Sequence, residues 1–431
     1  MFRFLKCCCF SRLFLLYLSY RTVVNMTKIE IVEAAFKVWG RDFYRKTSLS
    51  QLAKELGVSK PALYRHFLNK KALNAAMTEY FCDDFADSVR ADFEHAPQNA
   101  DTDEGIFAIM RGISGYFARN VYALLFCIIN IYDRNLDGRS ISERLKARGV
   151  EIKTLRLLIE KKYDARQPTL QLIFATLIFY MSHFHRTNDT FEKPPCEELV
   201  QCIAAAINEV IKNGLKVGVK EACSLDFKKL ESMVEASIHS TTPEPLFKAV
   251  AEAVAEAGPW DASMEMVAKR IGLSKSTLYG HFKNKKDMVR RLFMGEFRRI
   301  IEFARQGIRL SENTAEQLYL GIYSIVIYLR SRPEILIAIG WMRTRKLEPG
   351  KHDKKFETFR LFEDLEIERL QNSGEDEKQR ISHWILFLLI NILLRPYISN
   401  NGRHDAETNA QNDDIHILYR LITLGLGGFI R

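Results

Sequence analysis

Residues 47–73 read TSLSQLAKELGVSKPALYRHFLNKKAL, and much of this stretch occurs twice in the chain. Residues 57–71 (GVSKPALYRHFLNKK) return 215 positions later as residues 272–286 (GLSKSTLYGHFKNKK), with ten of fifteen residues identical. A repeat of this quality predicts two copies of one structural unit in a single chain. The halves that contain the two stretches are called copy 1 and copy 2 below.

The first helix of the repeated stretch has clear start and stop signals. Ser48, followed three residues later by Gln51, forms a capping box, which favours the start of a helix. Apolar residues then fall on one helical face, and Gly57 follows where a helix needs a residue that tolerates left-handed dihedral angles. These signals predict a short helix that ends in a tight turn.

The next helix is predicted to bury Leu63 and Phe67 and to leave its other residues exposed. Ser59 caps it, and Pro61 lies in its first turn, where no backbone donor is wasted. Asn69 can cap a third helix that begins with two lysines, although the helix dipole favours anions at that end. A nearby phosphate would relieve this conflict. The whole pattern predicts a helix-turn-helix.

The motif L-A-x-x-L-G-V-S-K-x-x-L-Y-R-H-F-x-N-K-x-x-L resembles the DNA-binding head of the TetR/AcrR family of bacterial repressors. The resemblance covers residues 27 to about 91 and again residues 245 to about 305. It implies an all-α fold in which each unit has a three-helix head and a helical body for ligand binding and dimerisation. It also implies a DNA-binding transcription regulator, a repressor that a small-molecule effector releases from its double-stranded DNA operator.

The second helix of each helix-turn-helix carries the candidates for reading bases. An α-helix fits the major groove, and small residues at its N-terminal end let the backbone approach the base edges. The candidates are Lys60, Pro61, Ala62 and Arg65 in copy 1, and Lys275, Ser276 and Thr277 in copy 2. Arg65 can contact a guanine edge with two hydrogen bonds, and Gly280 removes this option from copy 2.

A second set of residues is expected to contact DNA phosphates. Ser48 and Ser263 offer hydroxyl and amide donors at a helix N-terminus. The family resemblance places further phosphate contacts at Tyr64, His66 and Lys70, and at Tyr279, His281 and Lys285. The alternative interpretation is an exposed polar helix that binds no ligand.

Charge separates the two heads. The chain has 431 residues, enough for two or more cores, and its net charge of +10 permits a polyanionic partner. Residues 28–73 contain ten Lys/Arg against four Asp/Glu, whereas residues 243–288 contain seven against six. The head of copy 1 is therefore the stronger electrostatic candidate for a phosphate backbone.

Periodicity and composition predict the following domains. Residues 1–26 form an extension, interpreted as an upstream translation start or a disordered segment rather than a membrane anchor, because residues 13–20 are its longest uncharged run. Head 1 (27–92), body 1 (93–215), a connector (216–244), head 2 (245–305) and body 2 (306–431) follow. Helices are predicted near residues 106–120, 121–133, 142–162, 169–185 and 196–213 of body 1, and near 315–330, 333–344, 356–372, 381–394 and 415–424 of body 2.

The bodies carry no motif for a ligand, a metal or a reaction. The aromatic residues of the bodies fit a small-molecule pocket between helices, but aromatic stripes at helical spacing are more often part of the core. These aromatic residues are Phe107, Tyr116, Phe117, Tyr122, Phe126, Tyr319, Tyr323, Tyr328, Trp341 and Trp384. His183 and His185 face different sides of a helix, so we expect no metal site, and no cofactor is predicted. The eight cysteines form no CxxC pair and are expected to be thiols in a reducing cytoplasm.

Two other functional classes are alternatives to a transcription regulator. No Gly-rich phosphate loop, nucleophile elbow or pair of catalytic carboxylates stands out, which argues against an enzyme. The more serious rival is an antirepressor or other interaction protein that keeps the fold but reads no operator, and the weakly charged second head keeps that alternative open.

The resemblance also suggests how the chain assembles. Single-copy members of the family act as two-fold dimers joined by their last two long helices. This chain contains two such pairs, 169–185 with 196–213 and 381–394 with 415–424. A connector of about thirty residues keeps their effective concentration high. We therefore expect an intrachain pseudo-dimer rather than a homodimer, with an imperfectly palindromic operator and no membrane partner.

Overall fold

The computed structural model describes residues 27–42, 48–99, 103–132, 141–164, 167–191, 193–237, 245–345, 361–395 and 408–430. Within these ranges the regular elements are helices, and the one β-type contact is an isolated antiparallel bridge between Tyr163 and Ile430. The predicted all-α fold is confirmed. The N-terminal extension lies outside the described residues.

Copy 1 starts with three short or medium helices and a long fourth one that links head 1 to body 1. Its helices are α1 (Lys28–Asp42), α2 (Leu49–Glu55), α3 (Lys60–His66), α4 (Lys70–His95), α5 (Glu104–Arg119), α6 (Val121–Tyr132), α7 (Ile141–Lys146), α8 (Lys153–Lys162), α9 (Gln167–Thr187) and α10 (Glu197–Asn213). The connector contributes α11 (Val219–Cys223) and α12 (Phe227–Ser237).

Copy 2 repeats the order of the head helices and of the first two and last two body helices, and its described residues have one helix, α19, where copy 1 has α7 and α8. Its helices are α13 (Pro245–Asp261), α14 (Met264–Ile271), α15 (Lys275–His281), α16 (Lys285–Ile308), α17 (Thr314–Arg330), α18 (Pro333–Arg345), α19 (Glu368–Gln371), α20 (Glu375–Leu393) and α21 (Thr408–Leu424), followed by a 3-10 turn, Gly425–Phe429. In both copies the first helix of the head packs against the long linking helix and against one body helix, α6 or α18. Each head is therefore joined to its body by packing as well as by the chain.

The prediction of one helix over residues 142–162 is wrong, because α7 and α8 are separate. Gly149 ends α7 with a φ of 82°, and the amide of Val150 donates to the carbonyl of Leu145, five residues earlier, at 3.0 Å. This is the hydrogen bond of a Schellman cap, in which a left-handed glycine is followed by an apolar residue. The sequence carries a local signal for this break, because Gly149 is followed by the apolar Val150.

The predicted helix over residues 356–372 is also wrong in its described part. Residues 361–367 are irregular, and only α19 is helical there. The amide of Leu361 donates to the side-chain hydroxyl of Ser382 at 3.1 Å, so a side chain of α20 takes a bond that a helix would have made internally. Leu361 and Phe362 are buried by this arrangement. Tertiary packing has overridden local helical preference.

The two bodies meet through α9, α10, α20 and α21. Trp384 Nε1 donates to Thr176 Oγ1 at 3.1 Å, and the rings of Phe179 and Phe387 lie 5.5 Å apart. At the other end of the contact, the backbone amide of Leu215 donates to the carbonyl of Ile422 at 2.8 Å. Side chains and backbone of the two bodies thus share one core within the chain.

Two equivalent glycines allow the backbones of the two bodies to come close together. α10 and α21 begin 211 residues apart and end 211 residues apart, and each is followed by Gly-Leu. Gly214 and Gly425 have φ angles of 58° and 59°. A Cβ on Gly214 would lie 2.5 Å from the carbonyl oxygen of Ile422, and a Cβ on Gly425 would collide with the backbone of Lys212. The same feature of each copy therefore packs against the other copy.

Candidate nucleic-acid interface

Head 1 forms the predicted helix-turn-helix, with each helix held by its own cap. Ser48 Oγ accepts from the Gln51 amide at 3.1 Å, and Gln51 Oε1 accepts from the Ser48 amide at 2.8 Å, which completes the capping box. Gly57 turns the chain with a φ of 66°. Ser59 Oγ then accepts from the amide of Ala62, within α3, at 3.3 Å.

Head 2 repeats the same local geometry. Ser263 Oγ accepts from the Met266 amide at 3.1 Å, and Ser274 Oγ accepts from the Thr277 amide at 3.1 Å. Gly272 has a φ of 68°. Leu63 in α3 and Leu278 in α15 are both fully buried, so each recognition helix is anchored by the same side chain.

Most of the candidate DNA-contacting residues lie at the surface. Tyr64 and Tyr279 are 41% and 49% exposed, which is unusual for large apolar rings in the described residues. The other exposed candidates are Ser48, Lys60, Pro61, Arg65, His66, Lys275, Ser276, Thr277 and His281, and the half-buried ones are Ala62, Lys70, Ser263 and Lys285. Each head thus presents its base and phosphate candidates on one accessible helix-turn-helix surface.

Two lysines of head 1 lie over aromatic rings at this surface. Lys60 Nζ is 5.7 Å from the ring centroid of Tyr64, and Lys70 Nζ is 5.7 Å from that of Trp39. Burial lowers the pKa of Lys70, because the charged form loses water there. Since α4 has no acidic residue in its first turn, Lys70 adds positive charge to a helix end that is already positive. This end of α4 is suited to an anion.

The two heads differ in the chemistry of this surface. Gly280 in α15 replaces the arginine of α3, and nothing lies within 4 Å of a Cβ built on it. Ser274 Oγ is hydrogen bonded to Ser276 Oγ at 2.7 Å and to Thr277 Oγ1 at 2.8 Å. Head 2 therefore offers hydroxyl groups where head 1 offers Pro61 and Ala62.

The start of α16 also differs from the start of α4, and the sequence reading missed this. Asp287, in the first turn of α16, is 7% exposed and is paired with Arg290 at 3.0 Å and Arg291 at 3.1 Å. The hydrogen bond from Arg290 leads the interactions that lower the pKa of Asp287. The positive end of α16 is thus partly neutralised by its own side chain, in addition to the lower net charge of head 2.

The aromatic residues of the bodies pack as core, and the hydroxyls of four of the tyrosines are hydrogen bonded to carboxylates. Tyr116 donates to Asp84 at 2.8 Å, Tyr319 to Glu231 at 2.6 Å and Tyr323 to Glu235 at 2.9 Å, and Tyr328 is bonded to Glu296. Phe107, Phe117, Phe126 and Trp384 are buried, Tyr122 is half-buried, and the side chain of Trp341 lies outside the described residues. No ligand pocket is assigned to these residues.

Polar residues singled out in body 1 have ordinary structural partners. His185 is buried, with Nε2 2.8 Å from the carbonyl oxygen of Phe117 and Nδ1 next to Thr190, while His183 lies 3.0 Å from Arg186. The five described cysteines are free thiols, among them buried Cys82. In the described part of the chain, no group of three or more His, Cys, Asp or Glu could hold a metal ion.

No helix among the described residues has the length and apolar character needed to cross a membrane. The model of the family described as bacterial regulatory proteins, tetR family, matches the chain twice, at residues 31–77 and 246–292. Both matches run from the first helix of a head into the long linking helix, α4 or α16. They cover the helix-turn-helix elements whose geometry is given above. The chain therefore contains two tandem N-terminal DNA-binding domains of the kind found in the tetR family of bacterial regulatory proteins, which make it a DNA-binding transcription regulator.

Proposed function

We propose that one chain acts as a sequence-specific repressor that binds a single operator with both heads and is released by a small molecule. The observation that carries this proposal is the pair of exposed, identically capped recognition helices, α3 and α15, attached to bodies that pack against each other. Each recognition helix has the length and exposure to enter a major groove. Lys60, Pro61, Ala62 and Arg65 would read one half-site, and Lys275, Ser276 and Thr277 the other.

Phosphate contacts would fix the position of each head on the duplex. Ser48, Tyr64, His66 and Lys70 are the proposed contacts of head 1, and Ser263, Tyr279, His281 and Lys285 those of head 2. Such contacts position a protein on DNA but carry no sequence information. Because head 1 has the higher net charge and no acidic residue in the first turn of α4, it would supply the larger share of the salt-dependent affinity.

The packing of the bodies supports an intrachain pseudo-dimer. In a two-fold interface, residue i contacts residue j and residue j contacts residue i. Gly214 and Gly425 follow this rule, since each lies against the backbone that precedes the other. The pairs Thr176–Trp384 and Phe179–Phe387 are each 208 residues apart, as are the first residues of α9 and α20, so like positions meet.

The long linking helices offer a route from body to head. α4 carries Lys70 at the DNA end, and further along the same helix Asp83 pairs with Arg148 of body 1 at 2.6 Å. In copy 2, Glu296 of α16 is 1% exposed and pairs with Arg332 of body 2 at 3.5 Å. A ligand that binds one arrangement of a body better than another would shift the population and move the attached head.

Selection of bound sequences from random DNA, followed by band shifts at two salt concentrations, tests the proposal. We expect an imperfect palindrome with unlike half-sites and an affinity that falls with salt. Light scattering should give a mass near 49.9 kDa for the free chain. Failure to retain any sequence above random DNA would favour the antirepressor interpretation, and a mass of twice that value with a symmetric operator would refute the pseudo-dimer.

A further inference from the structure

The contact between α9 and α20 is symmetric in its backbone but not in its side chains. At its centre, like positions of the two bodies meet, as the Thr176–Trp384 and Phe179–Phe387 pairs indicate. Away from the centre, every contact of a two-fold interface should recur on the other side of the axis. Whether the recurring residues match in chemistry decides whether a body could pair with a second copy of itself.

One side of this contact is polar. The guanidinium carbon of Arg380, on α20, lies 5.4 Å from the ring centroid of Tyr180, on α9, and Tyr180 is 1% exposed. Arg380 Nη2 is also 3.0 Å from Glu377. Arg369 pairs with the same carboxylate at 3.6 Å and donates to the backbone carbonyl of Gly214 at 3.1 Å. A cation of body 2 thus lies on an aromatic face of body 1, and a second arginine of body 2 binds the body 1 backbone.

The related positions on the other side are apolar. The 208-residue offset of the two helices relates Arg380 to Leu172 and Tyr180 to Leu388, and both leucines are buried, at 2% and 0% exposure. The arginine–tyrosine contact is therefore not repeated at the related positions.

We propose that this asymmetry makes the interface specific for unlike bodies, so that body 1 pairs with body 2 and neither body pairs with itself. A pair of two bodies 2 would bring Arg380 against Leu388 of the other molecule and remove the Tyr180 face. Arg380 would keep its ion pair with Glu377 but would lose its favourable contact with an aromatic face. A pair of two bodies 1 would place Tyr180 against Leu172 with no cation. Arg380 and Tyr180 are therefore the specificity-determining residues of body pairing.

The inference rests on the two-fold packing in the proposed function and adds a rule to it. Because only unlike bodies pair, the two unlike recognition helices always occur together and in a fixed order. An operator would then be bound in one direction, with head 1 on one half-site and head 2 on the other. This follows whether the paired bodies belong to one chain or to two.

Cutting the folded chain removes the advantage that the connector gives to intrachain pairing. A protease site inserted within residues 238–244, between α12 and α13, would release two fragments of different mass after folding. Native mass spectrometry then counts the pair of unlike fragments and the two kinds of like pair. We expect unlike pairs to exceed pairs of copy 2 fragments by roughly tenfold or more, a preference of about 1.4 kcal/mol or more.

A matched pair of substitutions separates the pairing rule from other contacts between the fragments. α12 also packs on copy 2, so it favours unlike pairs by itself. Arg380→Leu should raise the share of copy 2 pairs several-fold, because unlike pairs lose the arginine–tyrosine contact while leucine suits the apolar Leu388 that it would meet in a copy 2 pair. Arg270→Leu is the control: that arginine lies in head 2, and its side chain is 25% exposed against 23% for Arg380. Tyr180→Leu provides an independent test and should lower the share of unlike pairs.

Two results would overturn the inference: like and unlike pairs in random proportions for the unaltered fragments, or equal effects of Arg380→Leu and Arg270→Leu. Circular dichroism would identify a variant that fails to fold, in which case Tyr180→Leu decides. The mass of the uncut chain is a separate readout. Twice the chain mass together with unlike fragment pairs would refute the monomeric pseudo-dimer but leave the pairing rule intact.

Discussion

The two bodies share one order of helices but differ in what covers their first long helix. In body 1, α10 packs directly against α5, whereas in body 2 the connector helix α12 packs against α17. The ring of Phe227, at the start of α12, lies 4.1 Å from that of His416 and 4.7 Å from that of Tyr319. One connector residue therefore contacts both α17 and α21.

The polar contacts of α12 explain why it docks there. Glu231 accepts hydrogen bonds from Tyr319 at 2.6 Å and from Asn412 at 3.1 Å, and it lies 2.8 Å from His416 Nε2. Leu230 and Val234 of α12 are buried in the same contact. A duplicated sequence can thus keep its secondary structure while a segment between the copies changes the packing of one of them.

The two heads differ from each other in the opposite way: their internal packing is the same, but their surfaces differ. Leu63 and Leu278 are buried alike, and the caps of α3 and α15 have the same geometry. At the surface, Gly280 of head 2 stands where head 1 has Arg65. The first turn of α16 also contains the buried Asp287, whereas the first turn of α4 contains no acidic residue. The two heads thus share their buried contacts, whereas the exposed side chains of their helix-turn-helix surfaces differ.

The largest expected effect on the free energy of unfolding is at the glycines of the body interface, in comparison with the glycines of the heads. Gly214→Ala or Gly425→Ala should lower the free energy of unfolding by about 3 kcal/mol or more, since a positive φ and a backbone collision combine. Gly57→Ala and Gly272→Ala have positive φ angles but nothing within 4 Å of the new Cβ, so about 1 kcal/mol is expected. Urea unfolding measures all four, and equal losses would contradict the close approach of the bodies.

Acid should weaken body 1 through its buried histidine. Burial lowers the pKa of His185 from 6.5 to about 4, so the unfolded chain takes up the proton first as the pH falls. Stability is therefore complete above pH 6.5 and is lost towards pH 4, with about 2 kcal/mol lost between pH 7 and pH 5. In body 2, the described histidines His383 and His416 are only half-buried.

Unfolding in urea at several pH values measures this loss. His185→Gln should flatten the pH dependence, although it lowers the stability at neutral pH. His183→Gln, two residues away and half-buried, is the control and should retain the dependence of the unaltered chain. If His185→Gln left the pH dependence of the free energy of unfolding unchanged, His185 would not be the group that causes the loss of stability in acid.

Exchanging one side chain between the recognition helices tests whether head 1 reads a base that head 2 ignores. Arg65→Ala should relax the preference at one base pair of one half-site, at a cost of roughly 1–3 kcal/mol if the contact is bidentate. Gly280→Arg should create a new preference in the other half-site, since the position is open. Sequence selection on each variant measures both. Equal losses on specific and random DNA for Arg65→Ala would exclude base reading.

The smallest expected effect concerns the exposed tyrosines. Tyr64→Phe and Tyr279→Phe each remove one hydroxyl, and each should weaken binding by about 1 kcal/mol on every DNA sequence, because a phosphate contact carries no sequence information. Titration of operator and random DNA by fluorescence anisotropy measures the losses. An effect of Tyr64→Phe alone would indicate that only head 1 contacts DNA, and a sequence-dependent effect would argue for a base contact instead.

Local signals in the sequence were sufficient for the heads. The Ser48–Gln51 capping box, the glycine turns and the buried leucine of each recognition helix all appear as predicted, since capping and turn chemistry act between residues close in sequence. The repeat also indicated two copies. The exposure of the DNA-contacting candidates agrees with the pattern, although their contacts with DNA stay predictions.

Tertiary structure decided what depends on partners distant in sequence. The break at Gly149 had a local signal, but the irregular residues after 360 did not, because Ser382 supplies the hydrogen bond that replaces a helical one. The docking of α12 depends on Glu231 meeting residues about 90 to 185 positions away. The pairing of Arg380 with Tyr180 spans 200 positions. Periodicity shows which face of a helix is buried, but only the folded chain shows which element covers that face.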